Sequence, residues 1–238
     1  MKQADILAFG AHPDDVEIGC GGTVAKLTDA GKRVVVIDLT RGELGTRGNI
    51  DIRAKEAERA SEILGLSDRE NLRLPDGHIR SEPEAKKKVV EAIRRWRPSA
   101  ILVPHVQDRH PDHIRASELI YESAFLAGLD RFEAEGERFR PRRLFYYLGW
   151  SDFEPTFVVD ITEQFERKMA SIFAFETQFV PEASSDPQTD LTSPSTEWRI
   201  RSRCAYFGSL IKRRYGEGFV VRGRLRAETP LDLDFETF

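Results

Sequence analysis

Apolar residues along the chain fall into two patterns. Short unbroken runs at residues 6–10, 33–39 and 99–104, rich in Val, Ile and Leu, have the length and composition of strands buried on both faces of a parallel sheet. Longer stretches with apolar positions three and four apart predict helices over 21–30, 52–64, 84–96, 112–128, 163–175 and 196–214. In the 84–96 helix, Val89, Val90, Ile93 and Trp96 form one stripe, while Lys86, Lys87 and Lys88 make the solvated face. Weaker runs at 71–74, 144–148, 157–161 and 219–222 complete the expected strands. Gly31 and Gly65 stop the first two helices, Pro98 closes the third, and Asp51 and Thr162 are placed to cap the helices after them. Ile114, Leu119, Ile120 and Phe125 are expected to face inward. Trp198, Ile200, Tyr206, Leu210 and Ile211 should form a face packed on the sheet or on a neighbouring subunit. Strand and helix alternate throughout, which predicts an α/β fold: a Rossmann-like three-layer sandwich with a mostly parallel sheet. One domain is expected over 1–238, with its core at about 4–223 and an acidic tail at 227–238.

Two stretches carry no period. Residues 131–143 read as a charged surface excursion, and 180–195, rich in Pro, Ser, Thr and Asp, as a lid, an interface arm or a disordered segment. Composition narrows the function. With 36 Lys and Arg against 40 Asp and Glu, the net charge of −4 and pI near 5.8 provide no basic field for nucleic acid or an anionic membrane. No apolar run approaches the ~20 residues needed to cross a bilayer, and the start lacks an apolar signal region. Cys20 and Cys204 are too few for a disulfide framework. A cytoplasmic location is expected.

The chemistry concentrates where the first strand ends. His12-Pro13-Asp14-Asp15 follows it directly, and four polar side chains crowd into six residues up to Glu17. Pro and Asp alone would explain a turn. The pattern recurs, however, as His110-Pro111-Asp112-His113 after the 99–104 run. Two such turns at the carboxyl edge of a parallel sheet would gather His12, Asp15 and His113, a mixed nitrogen and oxygen set that suits a divalent metal and leaves a coordination position open.

These paired motifs resemble those of the PIG-L/LmbE family of zinc-dependent N-acetylglucosamine deacetylases. The resemblance runs from residue 6 to about 223 and includes the 41–45 segment (Arg41, Glu43, Gly45), Arg53, the 74–77 turn with Asp76, and the late 206–210 and 215–218 segments. It implies a zinc ion on His12, Asp15 and His113, one per subunit, with other divalent metals able to replace it. It also implies Asp14 as general base and His110 as the group at the oxyanion or the leaving amine, with Asp112 orienting His110. The substrate implied is a small N-acetylglucosamine conjugate, N-acetylglucosaminyl-malate of bacillithiol biosynthesis above all, and the assembly a homo-oligomer, a hexamer by analogy. Sugar hydroxyls would meet Asp76 and Glu43. The malate carboxylates would meet Arg53 and Arg109, since guanidinium groups pair bidentately with carboxylates.

Three other readings compete. A deacetylase of another N-acetylglucosamine conjugate or of a chitooligosaccharide fits the same residues. A Rossmann-type nucleotide binder would use Gly19, Gly21 and Asp38, but the third glycine is absent, with Val24 in its place, and Asp14, Asp15 and Glu17 would repel a pyrophosphate. A purely structural zinc would call for a closed four-ligand set, for which the two cysteines are badly spaced. His78 and His105 have no partner at ligand spacing.

Overall fold

The computed structural model describes residues 3–229, 232 and 234; most of the expected acidic tail lies outside the described residues. The three continuous apolar runs form the centre of a sheet. Its strands are β1 (Ile6–Gly10), β2 (Val34–Asp38), β3 (Asp68–Asn71), β4 (Ala100–Pro104), β5 (Leu144–Tyr147), β6 (Phe157–Asp160) and β7 (Gly216–Val220). They lie in the order β3-β2-β1-β4-β5-β7-β6. The first five are parallel, and β7 runs antiparallel between β5 and β6. Every residue of β2 and β4 is buried, as strands covered on both faces must be.

The helices are α1 (Asp15–Asp29), α2 (Ile50–Leu64), α3 (Pro83–Trp96), α4 (Pro111–Leu126), α5 (Phe165–Phe173), the single turn α6 (Glu176–Phe179) and α7 (Ser195–Leu210). Alternate strand residues feed opposite faces. Leu7, Phe9, Val35, Ile37, Ile101 and Val103 pack with Val89, Ile93 and Trp96 of α3 and Leu119 and Ile120 of α4. On the other face Ala8, Val36 and Leu102 meet Val16, Val24 and Ala25 of α1. The expected three-layer, mostly parallel α/β architecture is therefore present. Among the described residues no helix is long and apolar enough to cross a membrane.

Several local expectations are corrected. The third strand is the polar 68–71, not 71–74, because pairing with β2 (Val35 with Asp68, Asp38 with Asn71) sets the edge, and Leu74 lies beyond it in a loop. α1 begins at Asp15, before the glycines, and breaks at Cys20 (φ −147°, ψ 22°). α2 is capped by Asn49, whose Oδ1 accepts from the amides of Asp51 and Ile52 at 3.0 Å each, so Asp51 is inside the helix. Thr162 donates to Asp160 in place of capping, and α5 starts at Phe165. Phe125 is 57% exposed under the Arg140 guanidinium. On α7 the buried stripe is Ile200, Cys204 and Phe207, spaced i, i+4, i+7, which turns Trp198, Tyr206 and Leu210 outward.

The chain runs outward from β1 through β2 to β3, then returns to lay β4 on the other side of β1. The carboxyl ends of β1 and β4 thus lie side by side at the point where strand order reverses, and the two His-Pro-Asp turns leave from there.

Candidate metal and catalytic site

The first turn needs Gly10. A Cβ at that position would lie 2.9 Å from the His12 carbonyl oxygen and 3.2 Å from the Asp15 Cβ, so only glycine lets the chain fold back this tightly. Asp14 then takes φ 121°, a conformation that L residues rarely adopt. Asp15 reaches back to accept the His12 amide on Oδ2 at 2.8 Å and opens α1. The second turn ends with His110 as the N-cap of α4: its Nδ1 accepts the Asp112 amide at 3.2 Å, and Pro111 occupies a first-turn position where no amide is needed.

The two turns converge on Asp15. Its Oδ2 is 3.5 Å from His12 Nδ1 and its Oδ1 is 3.0 Å from His113 Nε2. Ligands at 2.0–2.1 Å around a tetrahedral ion are about 3.3 Å apart, so these separations match a shared cation. The His12 and His113 ring centroids are 5.6 Å apart. Each imidazole is backed by a carboxylate on its far nitrogen. His12 Nε2 faces Asp76 Oδ1 at 3.0 Å and Asp112 Oδ2 at 3.4 Å, and His113 Nδ1 faces Asp108 Oδ1 at 3.3 Å. Carboxylates behind ligand histidines fix the ring and raise its basicity. Among the described residues, the trios whose ligand atoms all lie within 4.8 Å of one another are His12/His110/His113 and His12/Asp76/Asp112. Asp112, however, is absent from the lining of the substrate-sized cavity, whereas His12, Asp15 and His113 all line it.

The carboxylates around the two imidazoles outweigh their burial. Burial alone would lower the pKa of both imidazoles, yet Asp112, Asp15 and Asp76 hold His12 well above its usual value, and Asp15 and Asp108 raise His113 to about 9. Burial, the largest single influence on Asp15, would raise its pKa, but the combined pull of His113 and His12 takes it well below the usual carboxylate range. Two imidazoles and a carboxylate are a donor set that fits a divalent ion. Asp14 is different: burial lifts its carboxyl to about 7, against the Arg53 guanidinium, whose Nη2 donates to Asp14 Oδ2 at 2.8 Å. His110 is lowered, first by burial and then by His113 and His12. With Nδ1 accepting the Asp112 amide, its proton sits on Nε2. The Asp112 carboxylate faces His12 and the Gly77 amide (2.7 Å), so it is the Asp112 backbone amide that holds the His110 ring; the carboxylate charge raises the His110 pKa as expected, but burial, His113 and His12 outweigh it.

The cavity, about 420 Å³, is lined by residues from both turns together with Leu44, Arg53, Asp76, Arg109, Trp150, Gln178 and Asp190. Asp76 lies on its wall. Glu43 does not: its carboxylate accepts the amides of Arg41 and Asp76 and so shapes the loop. Arg53 lines the cavity but spends Nε and Nη2 on Pro13 O and Asp14. Arg109 lies over the Trp150 ring and pairs with Asp190 at 3.1 Å, and Asp190 also holds Arg199 at 2.9 Å. The aperiodic 180–195 segment thus supplies part of the cavity wall. Its anchor is Arg47, 2% exposed, whose guanidinium gathers the carbonyls of Thr177, Val180, Pro181, Ser184 and Asp186. A larger hollow of about 550 Å³ lies beyond Trp150 and Arg109 and contains none of the histidines.

Asp108 and Arg47 escaped the sequence reading. Asp108, two residues before His110, was open to discovery as a second carboxylate beside Asp112 in that stretch; nothing near Arg47 marked it. Asp38, the acid a nucleotide binder would place on a ribose, is buried in a two-pronged pair with Arg69 at 2.7 and 2.9 Å. Cys20 and Cys204 are buried and free, and Cys20 is pushed up by burial.

Known proteins share the sequence and fold of this chain. The family profile described as PIG-L, GlcNAc-PI de-N-acetylase, matches residues 7–124. The diacetylchitobiose deacetylase of Thermococcus kodakarensis is 32% identical over 234 residues, covering 90% of this chain and 81% of that protein. Among solved structures, a conserved protein of Thermus thermophilus superposes with a TM-score of 0.87 at 38% identity, covering 96% of this chain and 98% of that one. The N,N'-diacetylchitobiose deacetylase of Pyrococcus horikoshii, solved with an inhibitor, gives 0.79 at 28% identity, covering 91% and 83%.

Proposed function

This chain belongs to the PIG-L family, deacetylases of N-acetylglucosamine-containing substrates, and from that premise we propose that it hydrolyses the acetamide of N-acetylglucosaminyl-malate with zinc held by His12, Asp15 and His113. The observation that carries the reading is Asp15 lying between two imidazoles, each with its own carboxylate behind it. A divalent ion there supplies Lewis acidity, acidifying water and polarising the acetamide carbonyl. Asp14, next in sequence to Asp15 and with its pKa near 7, takes the proton of the attacking water. His110, exposed to the cavity with its proton on Nε2, donates to the carbonyl oxygen as it gains charge. The C–N bond then breaks, and the proton held by Asp14 passes to the departing amine, leaving acetate and a free glucosamine nitrogen. Asp76 and Asp112 keep the His12 ring in place.

Arg109, half exposed at the cavity wall, is the guanidinium positioned for an acidic aglycone, with Asp190 as the partner it would exchange. Action in the cytoplasm and assembly into a homo-oligomer belong to the same reading. A second reading, deacetylation of a chitooligosaccharide, is favoured by the name of the Thermococcus relative. Acetate release from N-acetylglucosaminyl-malate, diacetylchitobiose and free N-acetylglucosamine, measured with elemental analysis of the purified protein, separates the two. The malate conjugate should give the highest kcat/KM; equal values on all three would overturn the choice of substrate.

A further inference from the structure

The geometry points to Lys168 and Glu217 as positioning residues: their buried ion pair splices the broken helix α1 and thereby fixes the turn that carries Asp14 and Asp15. The inference rests on reading His12, Asp15 and His113 as metal ligands.

At Cys20 the backbone of α1 leaves helical geometry, which divides it into a first turn from Asp15 to Gly19 and a longer second part. A break of this kind strands carbonyls on one side and amides on the other. The Gly22 amide, which in an unbroken helix would donate to Ile18 O, donates instead to Glu217 Oε1 at 2.9 Å, and the Thr23 amide donates to Glu217 Oε2 at 2.7 Å. On the other side Lys168 Nζ donates to Ile18 O at 2.7 Å and to Glu17 O at 3.1 Å. The circuit closes where Lys168 Nζ meets Glu217 Oε1 at 2.6 Å. The missing helical rung is thus rebuilt from side chains of α5 and β7.

The first part of α1 is one turn long, too short to hold its own shape. It is nevertheless the turn on which the chemistry hangs, since the Ile18 amide donates to Asp14 O at 2.9 Å while the Ile18 carbonyl rests on Lys168. Asp14 sits at φ 121°, a conformation that persists only where the surroundings over-determine it. Arg53 holds its carboxylate from one side. The splice holds its backbone from the other. Lys168 is 0% and Glu217 2% exposed, and burying two charges is costly unless each is fully bonded. An unbroken α1 would require neither. The residue before the break is pressed on the opposite wall: a Cβ on Gly19 would sit 2.3 Å from the Tyr147 ring. The 215–218 segment, a family-like motif without a part in the chemistry, is accounted for by Glu217.

The test compares wild type, Lys168→Met and Glu217→Gln, each checked for folding by circular dichroism. The metal-loaded proteins are assayed for kcat and KM, and the chelated proteins are titrated with Co²⁺ and followed by its visible spectrum. Both variants should lose about 10-fold or more in kcat with KM nearly unchanged, and bind Co²⁺ on the order of 10-fold more weakly than wild type. Folded variants that keep wild-type kcat and Co²⁺ affinity while only their Tm falls would overturn the proposal. If Lys168→Met does not fold, Glu217→Gln decides by the same measures; if neither folds, the pair secures the fold as a whole and the positioning role is rejected. Wild type that takes up no Co²⁺ would instead refute the ligand assignment on which the inference rests.

Discussion

Replacing Asp108 by Asn tests the metal site at a residue that touches no substrate. Asp108 Oδ1 stands 3.3 Å from His113 Nδ1 and accepts the His110 amide at 2.9 Å, while Oδ2 accepts the Trp150 amide at 2.7 Å. Asn is nearly isosteric, but it removes the charge behind His113 and turns an amide donor toward one of two backbone N–H groups. The unsatisfied donor should cost roughly 1–3 kcal/mol of stability. The lost carboxylate should weaken metal binding about 10- to 100-fold, equivalent to roughly 1.4–2.7 kcal/mol. The two effects separate when zinc affinity is measured by competition with a chelating dye well below Tm and Tm is read independently. The outcome also discriminates between ligand sets. If the ion is held by His12, Asp76 and Asp112, Asp108 is remote from it, and affinity should stay within about twofold while Asp76→Asn abolishes binding. That pattern would refute the assignment to His12, Asp15 and His113.

Asp14→Asn should retain its metal and lose about 10²- to 10⁴-fold in kcat; a loss under tenfold in metal-replete protein would remove Asp14 as the base. Arg47→Ala should lower stability by roughly 2–4 kcal/mol, because several carbonyls of the 177–187 segment lose a charged donor. Limited proteolysis should then cut first within 181–194, and cleavage elsewhere would argue against the anchoring role. Gly19→Ala places a methyl 2.3 Å from the Tyr147 ring, whose hydroxyl is fixed on Phe9 O, and should cost roughly 1–3 kcal/mol by urea denaturation; an unchanged midpoint would show that the ring yields.

The parts of the site that sequence revealed are those that depend on neighbours in the chain. His12 and Asp15, or His110 and His113, are three residues apart, so a turn after a strand brings each pair together whatever the rest of the fold does. The β1, β2 and β4 runs were equally legible, because strands buried on both faces must be apolar throughout. Residues whose environment is made by distant segments were not. Arg47 looks like any surface arginine until residues 177–187 close over it, and Lys168 gives no sign of burial until Glu217 arrives from the last strand. The same blindness misplaced β3, a polar strand held by pairing with β2, and left undivided the apolar residues of α7 that face the sheet and those that face outward, since Arg199 and Arg203 lie among them and stack toward Trp150. Glu43 and Arg53 show how a charged residue near a site can be absorbed by the backbone around it.

The reversal of strand order between β1 and β4 places the two turns on separable portions of the polypeptide, about a hundred residues apart, joined through the β3 edge and α3. A cation shared by His12, Asp15 and His113 would then act as a long-range cross-link, and closing so large a loop withdraws considerable freedom from the unfolded chain. A protein cut in the exposed connection before α3 should therefore reassemble from its two fragments, and divalent ions should strengthen that fragment complementation.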